Sequence, residues 1–128
     1  MKYMLLIYQT EKALSEEYRQ ACYEESSQLA RDLRDDGKFL SANPLQPTNA
    51  AASVRVRDGK RLVTDGPFAE TREQLGGYFL VDAKDRDEAI AIAARIPGAR
   101  IGTVEVRPIV EITGLPADQR AAEVAGSR

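Results

Sequence analysis

Two short segments of this chain are apolar on both of the faces that a β-strand presents. In residues 2–9 one face carries Tyr3, Leu5 and Ile7, and the other carries Met4, Leu6 and Tyr8. Residues 78–81, Tyr-Phe-Leu-Val, repeat the pattern. Successive side chains of a strand point to opposite sides of the sheet, so such a strand needs cover on both sides. We therefore predict that both segments lie in the middle of one sheet.

The order of the remaining elements predicts an α+β chain of the ferredoxin-like βαββαβ type. A helix is expected after Ser15, as N-cap, and another over residues 86–96, where Asp85 and Glu88 form a capping box and Pro97-Gly98 ends the helix. Further strands are expected over residues 39–45, 54–57, 61–64 and 103–112, the middle two joined as an inserted hairpin by Asp58-Gly59. Residues 1–113 are predicted to form one domain, followed by a loosely ordered tail over residues 114–128.

Two helices can cover only one face of such a sheet. The large apolar side chains of the other face would each lose about 1.5–3 kcal/mol of possible burial if they stayed in water. Either the chain's own hairpin or tail folds over them, or a second copy packs sheet against sheet. We expect the homodimer, because the tail is too polar to replace a sheet.

Histidine is absent and Cys22 is the single cysteine. Serine–histidine and cysteine–histidine pairs, histidine-ligated metal sites, structural zinc and an internal disulfide are therefore excluded. Cys22 is expected to be a small buried or half-buried side chain of the first helix. Acid–base chemistry would have to use carboxylates, tyrosine or lysine, and we expect no cofactor and no bound metal.

Charge and the N-terminal segment exclude other classes of partner. A net charge of −2 gives no reason to expect nucleic acid, whose binding needs a basic face. The apolar residues 1–8 are too short to span a membrane and lack the pattern of a signal peptide. The expected location is the cytoplasm.

The last strand carries a charged pair on the face that the helices do not cover. Val104, Val106 and Val110 are predicted under the helices, which turns Glu105 and Arg107 towards the space between the sheets. In a partly dry cavity the pKa of Glu105 would rise, as a general base requires. Arg107 beside it would instead hold the carboxylate charged, and the pair would be structural. The sequence leaves both readings open.

Residues 65–78, Asp-Gly-Pro-Phe-Ala-Glu-Thr-Arg-Glu-Gln-Leu-Gly-Gly-Tyr, resemble the signature of the DGPF branch of the YCII-related family. The opening strand, the preceding hairpin, the Ile96-Pro97-Gly98 helix end and the Glu105-Val106-Arg107-Pro108 strand fit the resemblance too. It implies a dimeric α/β barrel. The histidine–aspartate pair discussed for some members cannot be transferred to a chain without histidine. Related proteins that occur beside extracytoplasmic-function sigma factors imply a regulatory role as an alternative.

The candidate site residues each have a structural alternative. Asp65 is a catalytic candidate, but Asp-Gly-Pro also favours a rigid turn in which Asp65 accepts backbone hydrogen bonds and Phe68 fills the core. Arg72 and Arg107 are candidate clamps for a substrate carboxylate, although Arg72 also suits a solvated turn. Tyr78 either orients a carbonyl group or belongs to the core.

Two functional hypotheses follow. The first is binding of a small polar metabolite between the sheets of a homodimer, with cofactor-independent proton transfer, isomerisation or lyase-type chemistry that uses Asp65 or Glu105 as base. The second is a non-enzymatic interaction module, accessory to a sigma factor, that presents its hairpin.

Overall fold

Four strands form one antiparallel sheet in the computed structural model, which describes residues 1–116. The strands are β1 Lys2–Gln9, β2 Phe39–Pro44, β3 Ala52–Arg57, β4 Lys60–Asp65, β5 Gln74–Asp82 and β6 Thr103–Pro108. The helices are α1 Glu16–Asp35, α2 Arg86–Ala93 and α3 Gly98–Ile101, with short 3-10 turns at Glu11–Ala13 and Thr48–Ala50. Most of the predicted C-terminal tail, residues 117–128, lies outside the described residues.

The order of strands across the sheet is β2-β5-β1-β6. All three neighbouring pairs are antiparallel, so the predicted ferredoxin-like α+β plan is confirmed. The two segments that are apolar on both faces become β1 and β5, which lie in the centre as predicted.

The helices cover one face of this sheet and enclose the core there. Its largest fully buried side chains are Leu5, Leu33, Val81, Pro97 and Ile96. Phe39 on β2 meets Phe79 on β5 edge to face, with ring centroids 6.5 Å apart and an interplanar angle of 83°. Val104 and Val106 of β6 pack against the same core, as their alternation predicted.

Three local predictions were wrong. Pro97-Gly98 does not end the helical region, because α2 ends at Ala93 and α3 begins at Gly98. The last strand ends at Pro108 because its neighbour β1 begins at Lys2, whose carbonyl accepts one more hydrogen bond from the Ile109 N–H at 2.9 Å. Val110 is 80% exposed instead of lying under the helices. Phe68, expected to fill the core, is also 80% exposed.

Strands β3 and β4 form a separate two-stranded sheet. Val54 pairs with Val63 across the hairpin, and the turn uses positive φ angles at Asp58 (52°) and Gly59 (73°), as a tight hairpin of this hand requires. Nearly every residue of both strands is exposed, so this hairpin does not cover the free face of the main sheet.

Within residues 1–116 no helix is both long and apolar enough to cross a membrane.

Candidate functional site

The face of the main sheet that the helices leave free has an apolar centre and polar edges. Met4, Leu6 and Tyr8 of β1 and Leu80 of β5 form the centre and are only partly buried. Strand pairing aligns Asn43, Tyr78, Leu6 and Glu105 in one row across four strands. Tyr78 and Glu105 are thus two strand spacings apart at the backbone, or roughly 10 Å. We call this surface the open face.

Tyr78 organises the polar group at the β2 edge. Its hydroxyl lies 3.2 Å from the Ser41 hydroxyl and accepts a hydrogen bond from the Asn43 side-chain amide at 3.0 Å. The register of β2 against β5 produces this cluster, since Asn43 lies directly opposite Tyr78. Tyr78 is therefore no core residue: its hydroxyl is held among polar groups.

Glu105 and Arg107 form the polar group at the β6 edge. The Arg107 Nε donates to Glu105 Oε2 at 3.1 Å, and its Nη2 contacts the same oxygen. The Glu105 side chain is 38% exposed and the Arg107 side chain is 68% exposed, so the pair lies at a solvent-accessible edge of this chain. The Arg107 guanidinium keeps further N–H donors that Glu105 does not use, which suits it to a second carboxylate.

Arg72 lies at one end of the open face. Its backbone carbonyl accepts a hydrogen bond from the Thr10 hydroxyl just after β1, at 3.4 Å. The next residue, Glu73, accepts one from the Thr103 hydroxyl at the start of β6, at 2.9 Å. The Arg72 side chain itself is exposed at this rim.

Asp65 is separate from the other candidates. It ends β4 opposite Ala52, and its carboxylate accepts no hydrogen bond within residues 1–116, so the expected turn around that carboxylate does not form. The bend is held instead by Gly66, whose N–H donates to the Ala51 carbonyl at 2.7 Å and whose carbonyl accepts from the Ser53 hydroxyl at 2.8 Å. Gly66 has a φ of 95°, which glycine adopts without strain.

A second feature, which the sequence analysis missed, lies on the helix-covered side of the sheet. A pocket of 190 Å³ lies between the middle of α1 and the strands β1, β2 and β5. Cys22, Ser26 and Ala30 follow one another at intervals of four on the inward face of α1 and are too small to fill the space. That spacing of small residues is the signal that could have indicated the pocket. We call it the α1 pocket.

The environment of Cys22 keeps the thiol neutral. Burial raises the pKa of Cys22, the neighbouring Glu25 carboxylate raises it further, and Arg100 opposes both. Glu25 and Arg100 are themselves joined by two hydrogen bonds of 2.7 and 2.9 Å, which tie α1 to α3 and lower the pKa of Glu25. Cys22 is half-buried, as predicted.

No group of three or more aspartate, glutamate or cysteine side chains that could hold a metal ion occurs in the described part of the chain.

Comparison with known proteins gives two findings. Residues 1–113 match the YCII-related domain. The chain is also 39% identical over 114 residues to an uncharacterised protein of Rhizobium meliloti (strain 1021), in an alignment that covers 85% of this chain and 92% of that protein.

Proposed function

The chain belongs to the YCII-related family, and we propose that it binds a small polar metabolite on the open face, between the sheets of a homodimer. The R. meliloti relative is uncharacterised and suggests no ligand. The observation that carries the proposal is the composition of the open face, where an apolar centre lies between the Tyr78 cluster and the Glu105–Arg107 pair.

The exposed apolar side chains support the homodimer. The open face is only partly buried in one chain, and Phe68 and Val110 leave most of their surface in water. Contiguous apolar surface beyond a few hundred Å² is uncommon on a monomer and marks an interaction site. Two copies packed sheet against sheet would have the arrangement of a dimeric α/β barrel, and the Asp65–Phe68 segment supports assignment to the DGPF branch.

The polar groups at the two edges suit a small organic acid. We assign Arg107 as the clamp for its carboxylate, and Tyr78 as the group that orients a carbonyl or hydroxyl at the other edge. The ligand carboxylate would replace Glu105 on the guanidinium. Glu105, released from its partner, then becomes the base for cofactor-independent proton transfer.

The remaining candidates have less direct roles in this proposal. Arg72 belongs to the rim, next to Thr10 at the end of β1. Asp65 ends β4 in the separate hairpin sheet, so we give it no role in the proposed chemistry.

A thermal-shift comparison of matched ligands tests the proposal. Small mono- and dicarboxylic acids are compared with their neutral amides, because a ligand that prefers the folded state raises the melting temperature. We expect an acid, but not its amide, to stabilise the wild type and to lose that effect in Arg107→Gln. Tyr78→Phe should weaken it, whereas Arg55→Gln on the hairpin should leave it unchanged.

The oligomeric state is measured for each variant by light scattering. If no acid stabilises a dimeric wild type, or if Arg107→Gln and Tyr78→Phe both bind as well as the wild type, the open face is not the site.

The hairpin favours a second candidate function, a protein-interaction module accessory to a sigma factor. Val54, Val56 and Val63 share one face of the hairpin and each leaves more than half of its surface exposed. This function predicts that a purified extracytoplasmic-function sigma factor binds the wild type but not a Val54→Ser, Val63→Ser double variant that remains folded. Absence of binding to the wild type would leave the metabolite as the better proposal.

A further inference from the structure

The α1 pocket is a cavity on the opposite side of the sheet from the open face. It extends from Cys22, Ser26 and Ala30 on α1 to Ile7 on β1 and Phe79 on β5. Its lining also includes Asn43 and Tyr78, where β2 meets β5, but not Glu105 or Arg107, so a ligand there would lie away from the charged pair that the proposed function uses.

Close backbone packing defines the boundaries of the pocket. A Cβ atom at Gly98 would lie 2.5 Å from Cγ2 of Ile7, so α3 rests directly on β1 at one end. A Cβ atom at Gly77 would lie 3.0 Å from the carbonyl oxygen of Asn43, so β2 and β5 approach closely at the base. The space between them stays open because three α1 residues that line it, Cys22, Ser26 and Ala30, have small side chains.

The chemistry of the lining selects a neutral ligand. Aspartate, glutamate, lysine and arginine are all absent from the lining, and the one thiol is neutral. Burying a charged group without a partner is costly, which disfavours an ion. Most of the lining is apolar, contributed by residues such as Ile7, Ala30 and Phe79.

Three polar side chains can give such a ligand its orientation. Gln9, Tyr23 and Ser26 line the pocket, and the polar group of none of these side chains is hydrogen-bonded to another side or main chain within residues 1–116. The neighbouring Ser27 hydroxyl differs, because it donates to the Tyr23 carbonyl at 2.8 Å.

The geometry points to a binding site in the α1 pocket for a neutral molecule of one or two fused aromatic rings that bears a single hydrogen-bonding group. The size follows from the volume of 190 Å³. An apolar protein cavity of about 150 Å³ accommodates benzene, so a slightly larger one accommodates a substituted or fused ring.

The single thiol provides a direct test, since Cys22 lines the pocket and no other cysteine reacts. Alkylation of the full-length protein by iodoacetamide is followed by mass spectrometry with indole as the probe. Indole-3-carboxylate serves as a charged analogue with the same ring system. We expect indole to slow alkylation saturably, by about tenfold at about ten times its Kd, and the carboxylate to have no effect.

Two leucine variants of α1 locate the effect. Ser26→Leu fills the pocket and should abolish protection by indole, whereas Glu24→Leu adds the same side chain at an exposed position of the same helix and should retain it. Ala42→Leu fills the pocket from the sheet side, which keeps the test decisive if Ser26→Leu fails to fold. Failure of indole to protect the wild type, equal protection in the filled and control variants, or equal protection by the carboxylate would each overturn the inference.

Discussion

Gly102, in the connection between α3 and β6, packs directly against the backbone of β1. A Cβ atom there would lie 2.1 Å from the carbonyl oxygen of Tyr8, so the contact between the α3–β6 connection and β1 exists only with glycine. Because neither backbone can move freely, we expect Gly102→Ala to lower the free energy of unfolding by at least about 2 kcal/mol, measured by urea denaturation.

Gly76 provides the matched control for that substitution. Its Cβ would meet only the Gln9 side-chain amide, at 3.2 Å, and a flexible side chain can move aside. Gly76→Ala should therefore cost less than about 1 kcal/mol. Equal effects of the two substitutions would contradict the argument from backbone contact.

The thiol of Cys22 reports the charges around it. Burial is the main cause of its raised pKa, and the Glu25 carboxylate adds to the rise by opposing a second negative charge. We expect Glu25→Gln to lower the pKa of Cys22, because it removes that charge and releases Arg100 from its partner. The pH dependence of the alkylation rate measures the shift, and Arg100→Gln should move the pKa in the opposite direction.

At the scale of elements, the start of α2 is set by the predicted capping residues. Asp85 accepts a hydrogen bond from the Glu88 N–H at 2.9 Å, and Glu88 accepts one from the Lys84 N–H at 3.2 Å, one residue earlier than a standard capping box. We expect Asp85→Ala to destabilise the protein by about 1 kcal/mol in urea denaturation.

Asp87→Ala is the control that distinguishes the loss of the capping hydrogen bond from the loss of a negative charge. Asp87 carries the same carboxylate in the first turn of α2, is exposed and caps no N–H group. Asp87→Ala therefore removes only the interaction of a carboxylate with the helix dipole, worth about 0.3–1 kcal/mol. A loss equal to that of Asp85→Ala would attribute the effect to charge alone.

The elements also show which features a sequence can specify. The central positions of β1 and β5 follow from apolar residues on both faces, and the same alternation puts Tyr78, Glu105 and Arg107 on the open face. The α1 pocket could not be predicted in this way, because its volume depends on the distance at which α1 lies over the sheet. The exposure of Phe68 likewise depends on a loop whose packing no local pattern encodes.

At the scale of the whole molecule, the free apolar surface lies on the side that the helices do not cover. The helices bury Tyr3, Leu5, Phe79 and Val81, whereas their alternating neighbours on β1 and β5 remain partly exposed. The hairpin is exposed and pairs only with itself. Within residues 1–116 the chain thus leaves one face of the sheet uncovered. Self-association through that face can be tested directly.

The proposed homodimer predicts that a single lysine at the centre of the open face separates the two copies. Leu6 lies between Tyr78 and Glu105 in the strand row, so Leu6→Lys would place one unpaired ammonium group from each copy between the sheets. Desolvating those charges should raise the Kd of the dimer by more than about 100-fold, as sedimentation velocity measures over a dilution series. Ile90→Lys, at an exposed position of α2, should leave the dimer intact.

Circular dichroism must show the native fold in both variants, since the Leu6 side chain lies outside the core beneath the helices. A Leu6→Lys protein that remains fully dimeric would mean that another surface joins the copies, and a wild type that is monomeric at every concentration would refute the homodimer.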